Sequence, residues 1–252
     1  MELFDSHAHY NDEKFENEIE IIEDIHNSGV TKLITAGYSL ESTKKAIEIA
    51  HNYDFVYATA GISPNDIDDL EEKNFDEIRC LAKDKKVVAI GEIGLDYYWN
   101  KENKEKQKYA FIEQIKIANE LDLPIVIHTR EAVNDTLEIL KTNRTKGVFH
   151  CCPLNIELIK EGIKLGFYIS FAGPITFKNS KNANQVIEYV PLERILIETD
   201  SPYLSPEPLR GTRNDSRNVK YIAQKIAEVK GISTEEVARI TYENARKIFN
   251  IV

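Results

Sequence analysis

Cysteine is scarce in this sequence, and what there is does not pair: Cys80, Cys151 and Cys152 are three in 252 residues. An odd, small set cannot build a closed disulfide framework, and it suits a reducing compartment, so the cytoplasm is the expected location. Cys151 and Cys152 are adjacent, but no Cys-x-x-Cys pair is present to complete a zinc knuckle with them. Long apolar runs are also missing. None approaches the roughly 18 residues of a membrane span, and the start, Met1-Glu2-Leu3-Phe4-Asp5, has no basic segment leading into an apolar one. The chain is therefore expected to be neither membrane-bound nor exported. Cationic excess is absent too: the formal net charge is -10, which opposes diffuse attraction to nucleic acid or anionic lipid and requires any such contact to be local. No Gly/Ser linker, low-complexity tract or sequence repeat interrupts the chain, and nothing marks a domain boundary, so a single domain over residues 1–252 is expected.

What is present is an alternation. Eight short β-branched or apolar runs recur, over 3–9, 32–38, 56–62, 87–95, 125–130, 147–151, 167–171 and 195–200, and charged stretches of helical spacing separate them. Parallel strands joined by helices follow from that order, and eight is the number that closes a barrel. The fold class is thus α/β, a TIM-type (β/α)8 barrel with room for distortion. Phe15, Ile19, Ile22 and His26 fall on one helical stripe, which places His26 as a packed residue. The segment 102–121 puts Phe111, Ile115 and Ala118 on one side. Two further helices are expected at the C-terminal end, over 218–229 and 234–249, the second introduced by a capping box of Ser233 and Glu236.

The chemistry gathers at strand ends. His7 and His9 are two apart on the first strand, so their imidazoles share a side and can converge on one ion. Glu92, His128, His150 and Asp200 fall near the ends of the fourth, fifth, sixth and eighth strands, whereas His26 and His51 lie in helical stretches. A parallel barrel brings the C-terminal ends of all its strands to one face, which would make neighbours of these six residues. Singly, each has an ordinary explanation: a hydrogen-bonded core histidine, a salt-bridge carboxylate, a helix cap. Jointly, four imidazoles and two carboxylates exceed what one tetrahedral zinc takes, and two divalent ions bridged by a carboxylate such as Glu92 fit better. Such a pair suits hydrolysis of phosphoesters. Zinc, manganese, nickel and, less readily, magnesium are all compatible with these donors.

At these positions the chain resembles the TatD family of metal-dependent hydrolases, within the amidohydrolase-like barrel group. The resemblance runs nearly end to end. It is carried by Phe4-Asp5-Ser6-His7-Ala8-His9, Gly91-Glu92-Ile93-Gly94-Leu95-Asp96-Tyr97, Ile127-His128-Thr129-Arg130, Gly173-Pro174-Ile175-Thr176-Phe177-Lys178, and Glu198-Thr199-Asp200-Ser201-Pro202-Tyr203-Leu204 with Arg210-Gly211 and Arg213-Asn214 beyond. It implies a divalent-metal phosphodiesterase, often a deoxyribonuclease, with His7, His9, Glu92 and Asp200 around one ion and Glu92, His128 and His150 around the other. Two departures stand out. Ser63 and Asn65 occupy places where similar proteins usually carry histidines, and Cys152-Pro153-Leu154 replaces the aromatic, hydroxyl and glycine residues often found after the sixth-strand histidine.

The resulting expectation is a two-metal hydrolase in which Asp200 and Glu92 serve catalysis, Asp200 accepting a proton from the attacking water. Arg130, Lys178, Arg210 and Arg213 are candidates to grip substrate phosphates, each with an ordinary surface charge as the alternative. Ser63 and Asn65 can hydrogen-bond a phosphate oxygen but offer nothing that titrates near neutral pH. Tyr98 is the aromatic candidate for stacking on a base, while Tyr97 and Trp99 are assigned to loop packing. DNA or an oligonucleotide is the expected partner, and no membrane or obligate protein partner is. Two rivals remain open: a metal-dependent amidase, deacylase or esterase, and a metal-binding barrel without turnover.

Overall fold

The computed structural model describes residues 1–15 and 21–252. Among them are the strands β1 (Leu3–Ala8), β2 (Val30–Thr35), β3 (Val56–Ala60), β4 (Val87–Asp96), β5 (Ile125–Arg130), β6 (Gly147–Phe149), β7 (Tyr168–Phe171) and β8 (Ile195–Ile197). Helices α1 (Ile21–Asn27), α2 (Leu40–Asn52), α3 (Glu72–Leu81), α4 (Lys104–Glu120), α5 (Val133–Thr142), α6 (Ile156–Lys164) and α7 (Ala183–Tyr189) separate them, and α8 (Val219–Lys230) and α9 (Thr234–Phe249) follow β8. All neighbouring strands pair in parallel and in chain order from β1 to β8. None of the described helices is long and apolar enough to cross a membrane.

Closure between β8 and β1 is slender and lies at the C-terminal mouth. A single bridge joins Ala8 to Ser201, flanked by hydrogen bonds from Asp200 N–H to the His7 carbonyl (2.9 Å) and from His9 N–H to the Ser201 carbonyl (2.6 Å). Deeper in, the buried Asp5 carboxylate accepts the Thr199 N–H (2.9 Å) and hydroxyl (2.6 Å), tying the end of β8 to the middle of β1.

Both faces of most strands are buried, the inner against the barrel interior and the outer against helices, which is why the strands read as apolar runs rather than as alternations. Phe4, Ile34, Val88, Val126, Val148, Tyr168 and Leu196 form one cluster with the partly buried Tyr57. It draws on every strand and so fills the interior near the strand starts, where Phe249 and Ile251 at the end of α9 pack onto it. Strict alternation from an inward Phe4 would turn His7 outward. The register slips between Asp5 and Ala8 against β2, and this bulge re-aims His7 to the interior; β4 slips likewise between Ile90 and Ile93, around Glu92.

Several expectations need correction. The strands at His9, His150 and Asp200 end earlier than their apolar pattern suggests, because those residues turn into the mouth rather than continue a ladder. The stripe through Phe15, Ile19, Ile22 and His26 does not describe α1: Ile22 and Ile25 are its buried residues, Phe15 lies in a preceding 3-10 turn, and Ile19 is outside the described residues. His26 is exposed and rests on the Phe55 ring, 4.4 Å between centroids. Around α4, Phe111, Ile115 and Ala118 are buried as expected, and α9 opens on Ser233, whose side chain accepts the Glu236 N–H.

Gly94 allows the approach of β4 to β5 that carries His128. It sits at φ +139°, and a Cβ there would lie 2.0 Å from the His128 carbonyl oxygen. Gly94→Ala is therefore expected to destabilise the fold by about 3 kcal/mol through positive φ and backbone collision together, read as a lowered urea midpoint.

Candidate metal centre

Six side chains from five strand ends meet at the mouth. On one side, His7 Nε2 and His9 Nε2 are 3.2 Å apart. They face Glu92 Oε2 at 3.5 and 3.7 Å and Asp200 Oδ1 at 3.8 and 3.3 Å. On the other, His128 Nδ1 and His150 Nε2 approach Glu92 Oε1 at 3.0 and 3.4 Å and each other at 3.4 Å. The Glu92 carboxylate thus divides its oxygens between two donor sets. Asp200 reaches its position with φ +57°, a strained backbone that the β8–β1 hydrogen bonds hold in place.

Behind the ligand atoms stand residues that fix them. His128 Nε2 lies 2.8 Å from Asp96 Oδ2, His150 Nδ1 3.3 Å from Glu198 Oε1, and His9 Nδ1 3.2 Å from the Ala36 carbonyl. An N–H on each of these outer nitrogens leaves the lone pair of the inner one aimed at the centre. Sequence reasoning gave Asp96 and Glu198 no role, although strand parity carried a signal: Glu198 is two before Asp200, the same spacing that singled out His7 and His9.

Electrostatics point to a cation. Inner lone pairs directed at a carboxylate repel it unless positive charge lies between, and without a metal His9, His128 and His150 are the imidazoles that take up protons. Burial opposes charge on His128, but hydrogen bonds to Asp96 and Glu92 outweigh it and raise its pKa to about 9. His150 is likewise raised well above the ordinary range against its burial, by Glu92 and Glu198, and Glu92 is held well below the carboxylate range against its own. Burial and the nearby His150 keep His7 lowered, and its Nδ1 is buried without a partner among the described residues. The donor set fits divalent metal: imidazole nitrogens and carboxylate oxygens are spaced 3.0–3.8 Å, near the roughly 3.3 Å that separates tetrahedral ligands on bonds of about 2.0–2.1 Å.

Comparison with known proteins decides the family. The family model for TatD-related DNases matches residues 4–250. The chain belongs to that family. It is 44 % identical to the metal-dependent hydrolase YabD of Bacillus subtilis, covering 99 % of both chains, and 36 % identical to YcfH of Escherichia coli K12, covering 100 % of this chain and 97 % of that one. Among solved structures it superposes on YjjV, a TatD homologue from Escherichia coli K12, with a TM-score of 0.93 at 26 % identity, over 99 % of this chain and 98 % of that one.

A cavity of ≈ 680 Å³ opens over the centre, and Asn65, Trp99, Arg130, Cys151 and Tyr203 contribute to its wall. The remaining TatD-like candidates distribute unevenly around it. Arg130 lies over the Tyr98 ring at 3.7 Å, so Tyr98 supports Arg130 instead of lining the cavity. Trp99, assigned to packing from the sequence, is 68 % exposed and lines the cavity. Tyr97 is packed, its hydroxyl on Asp135 at 2.6 Å. Ser63 is buried and donates its hydroxyl to Asp66 (2.6 Å), leaving no proton for a phosphate. Lys178 is exposed and lines no cavity described here, and Arg210 and Arg213 line a separate one. Cys151 gives its backbone N–H to Glu198 (2.6 Å), and neither it nor Cys152 joins a ligand cluster.

Metal must displace protons from this centre. With the His128 pKa near 9, the metal-free site is protonated at neutral pH, so metal affinity should rise as pH climbs toward 9 and then level off. Calorimetric titration in buffers of different ionisation enthalpy reads the protons released; a pH-independent affinity would contradict this. Asp96→Asn, which removes the charge behind His128, should weaken metal affinity about 10–100-fold while the fold persists by circular dichroism.

Proposed function

We propose that this chain is a metal-dependent hydrolase of phosphodiesters, a deoxyribonuclease acting with two divalent cations. The observation that carries the reading is the division of the Glu92 oxygens between the His7/His9 and His128/His150 pairs, with Asp200 Oδ1 in reach of both nitrogens of the first pair. The family description, TatD-related DNase, and the metal-dependent hydrolases among its relatives support it.

His7, His9, Glu92 and Asp200 would hold one ion, and Glu92, His128 and His150 the other. Such a pair acidifies water and offsets the negative charge that builds at phosphorus. Asp200 is placed to take the proton of the attacking water. Burial opposes its charge, but the His9 hydrogen bond and the neighbouring His150 charge hold its pKa below the usual range. Arg130, fixed over Tyr98 at the cavity wall, orients a phosphate oxygen, and the exposed Trp99 face receives a base.

An amidase or esterase is favoured by one feature, the flank where Ser63 is spent on Asp66 and Asn65 supplies only a neutral amide. Parallel assays of single-stranded DNA, aryl esters and amides in the presence of each metal separate the readings: metal-dependent turnover confined to esters or amides would overturn the phosphodiesterase. Asp200→Ala should reduce DNA turnover about 10²–10⁴-fold with the folded state retained. Trp99→Ala should raise KM for the oligonucleotide about tenfold at nearly constant kcat.

A further inference from the structure

The metal cavity has a neighbour. Tyr203 and Leu204, which line the first, also line a second cavity of ≈ 560 Å³ whose wall includes Lys14, Phe177 and Arg210. The Tyr203 N–H donates to the Asp200 carbonyl (3.0 Å), so the turn that carries Asp200 also builds the partition between the two spaces. This partition is short, and an extended ligand bound at the metals reaches the second cavity by crossing two residues.

The cations there are held by rings. The Lys14 ammonium lies 4.1 Å from the Tyr203 ring centroid, and the Arg210 guanidinium 4.2 Å from that of Phe177. A ring stabilises a cation without neutralising it, so the charge stays available to a ligand. Among the described residues neither forms an ion pair, and the only other contact of Arg210 is a long one to Asn179 Oδ1 at 3.5 Å. The nearby Asp12 accepts the Tyr203 hydroxyl at 2.7 Å. In a chain of net charge -10, two cations without carboxylate partners among the described residues, beside a candidate metal centre, match an anion of the substrate's own chain.

We infer that this second cavity is a phosphate subsite. It holds the phosphodiester next to the one under attack in a nucleic-acid strand, with Lys14 and Arg210 as its donors. The identity of the ligand rests on the phosphodiesterase reading above. A strand of several linkages then binds more tightly than a dinucleotide, which has one phosphate and can fill only the metal cavity.

The test is binding, by fluorescence anisotropy, of the metal-loaded protein to a phosphorothioate hexathymidylate and to a phosphorothioate dithymidine with one linkage. The native chain should favour the hexamer about tenfold or more. K14A/R210A should lose most of that preference, and its slope of log K against log [salt] should be shallower by about 0.7, the value for one single-strand phosphate contact. K14R/R210K, which keeps both charges, should restore the slope. Both residues are exposed, so the variants leave the core intact. An unchanged preference in K14A/R210A, or no hexamer binding by the native chain, overturns the subsite. Turnover does not enter this readout: a chain that fails to cleave DNA yet loses hexamer binding in K14A/R210A would refute the nuclease reading and leave the subsite standing.

Discussion

Glu92 is buried where four imidazoles converge, and its ionised carboxylate is the charge around which the mouth of the barrel is organised. Taking such a group out of water is tolerable only with compensating positive charge and hydrogen bonds. His7 and His9 face one of its oxygens and His128 and His150 the other, so each strand end that supplies a histidine answers the same demand. Protons meet it in the metal-free protein, and divalent cations meet it better.

The outer shell makes that arrangement directional. Asp96 and Glu198 sit behind the histidines of one donor set, while among the described residues His9 Nδ1 has a backbone carbonyl and His7 Nδ1 has no partner. The two halves of the centre are therefore chemically unequal: one is backed by anionic groups that raise imidazole basicity, and the other has Asp200 as an additional carboxylate at its front.

Position follows from how the sheet closes. β8 and β1 share one bridge, and the hydrogen bonds beside it belong to the backbones of His7, His9, Asp200 and Ser201. Three of the six candidate ligands, His7, His9 and Asp200, also form the seam, so the geometry of the centre and the integrity of the barrel mouth are coupled. The partition of Tyr203 and Leu204 between the two cavities grows from this seam, which puts the walls of both under the same control.

The sequence by itself determined the eight strands, the six candidate ligands that the mouth of the barrel brings together and the sharing of a side by His7 and His9, since these depend on local hydrophobic pattern, residue chemistry and a spacing of two. It could not determine which way that side faced: the bulge between Asp5 and Ala8 is set by pairing with β2, a non-local interaction with no local signature. Nor could it show that the Ser63 hydroxyl is spent on Asp66, that Tyr98 lies beneath Arg130 while Trp99 is open, or that Lys14 joins Arg210 beside the centre. Exposure and pairing are properties of what surrounds a side chain, and in a barrel those surroundings arrive from remote strands, so only the tertiary structure decides them.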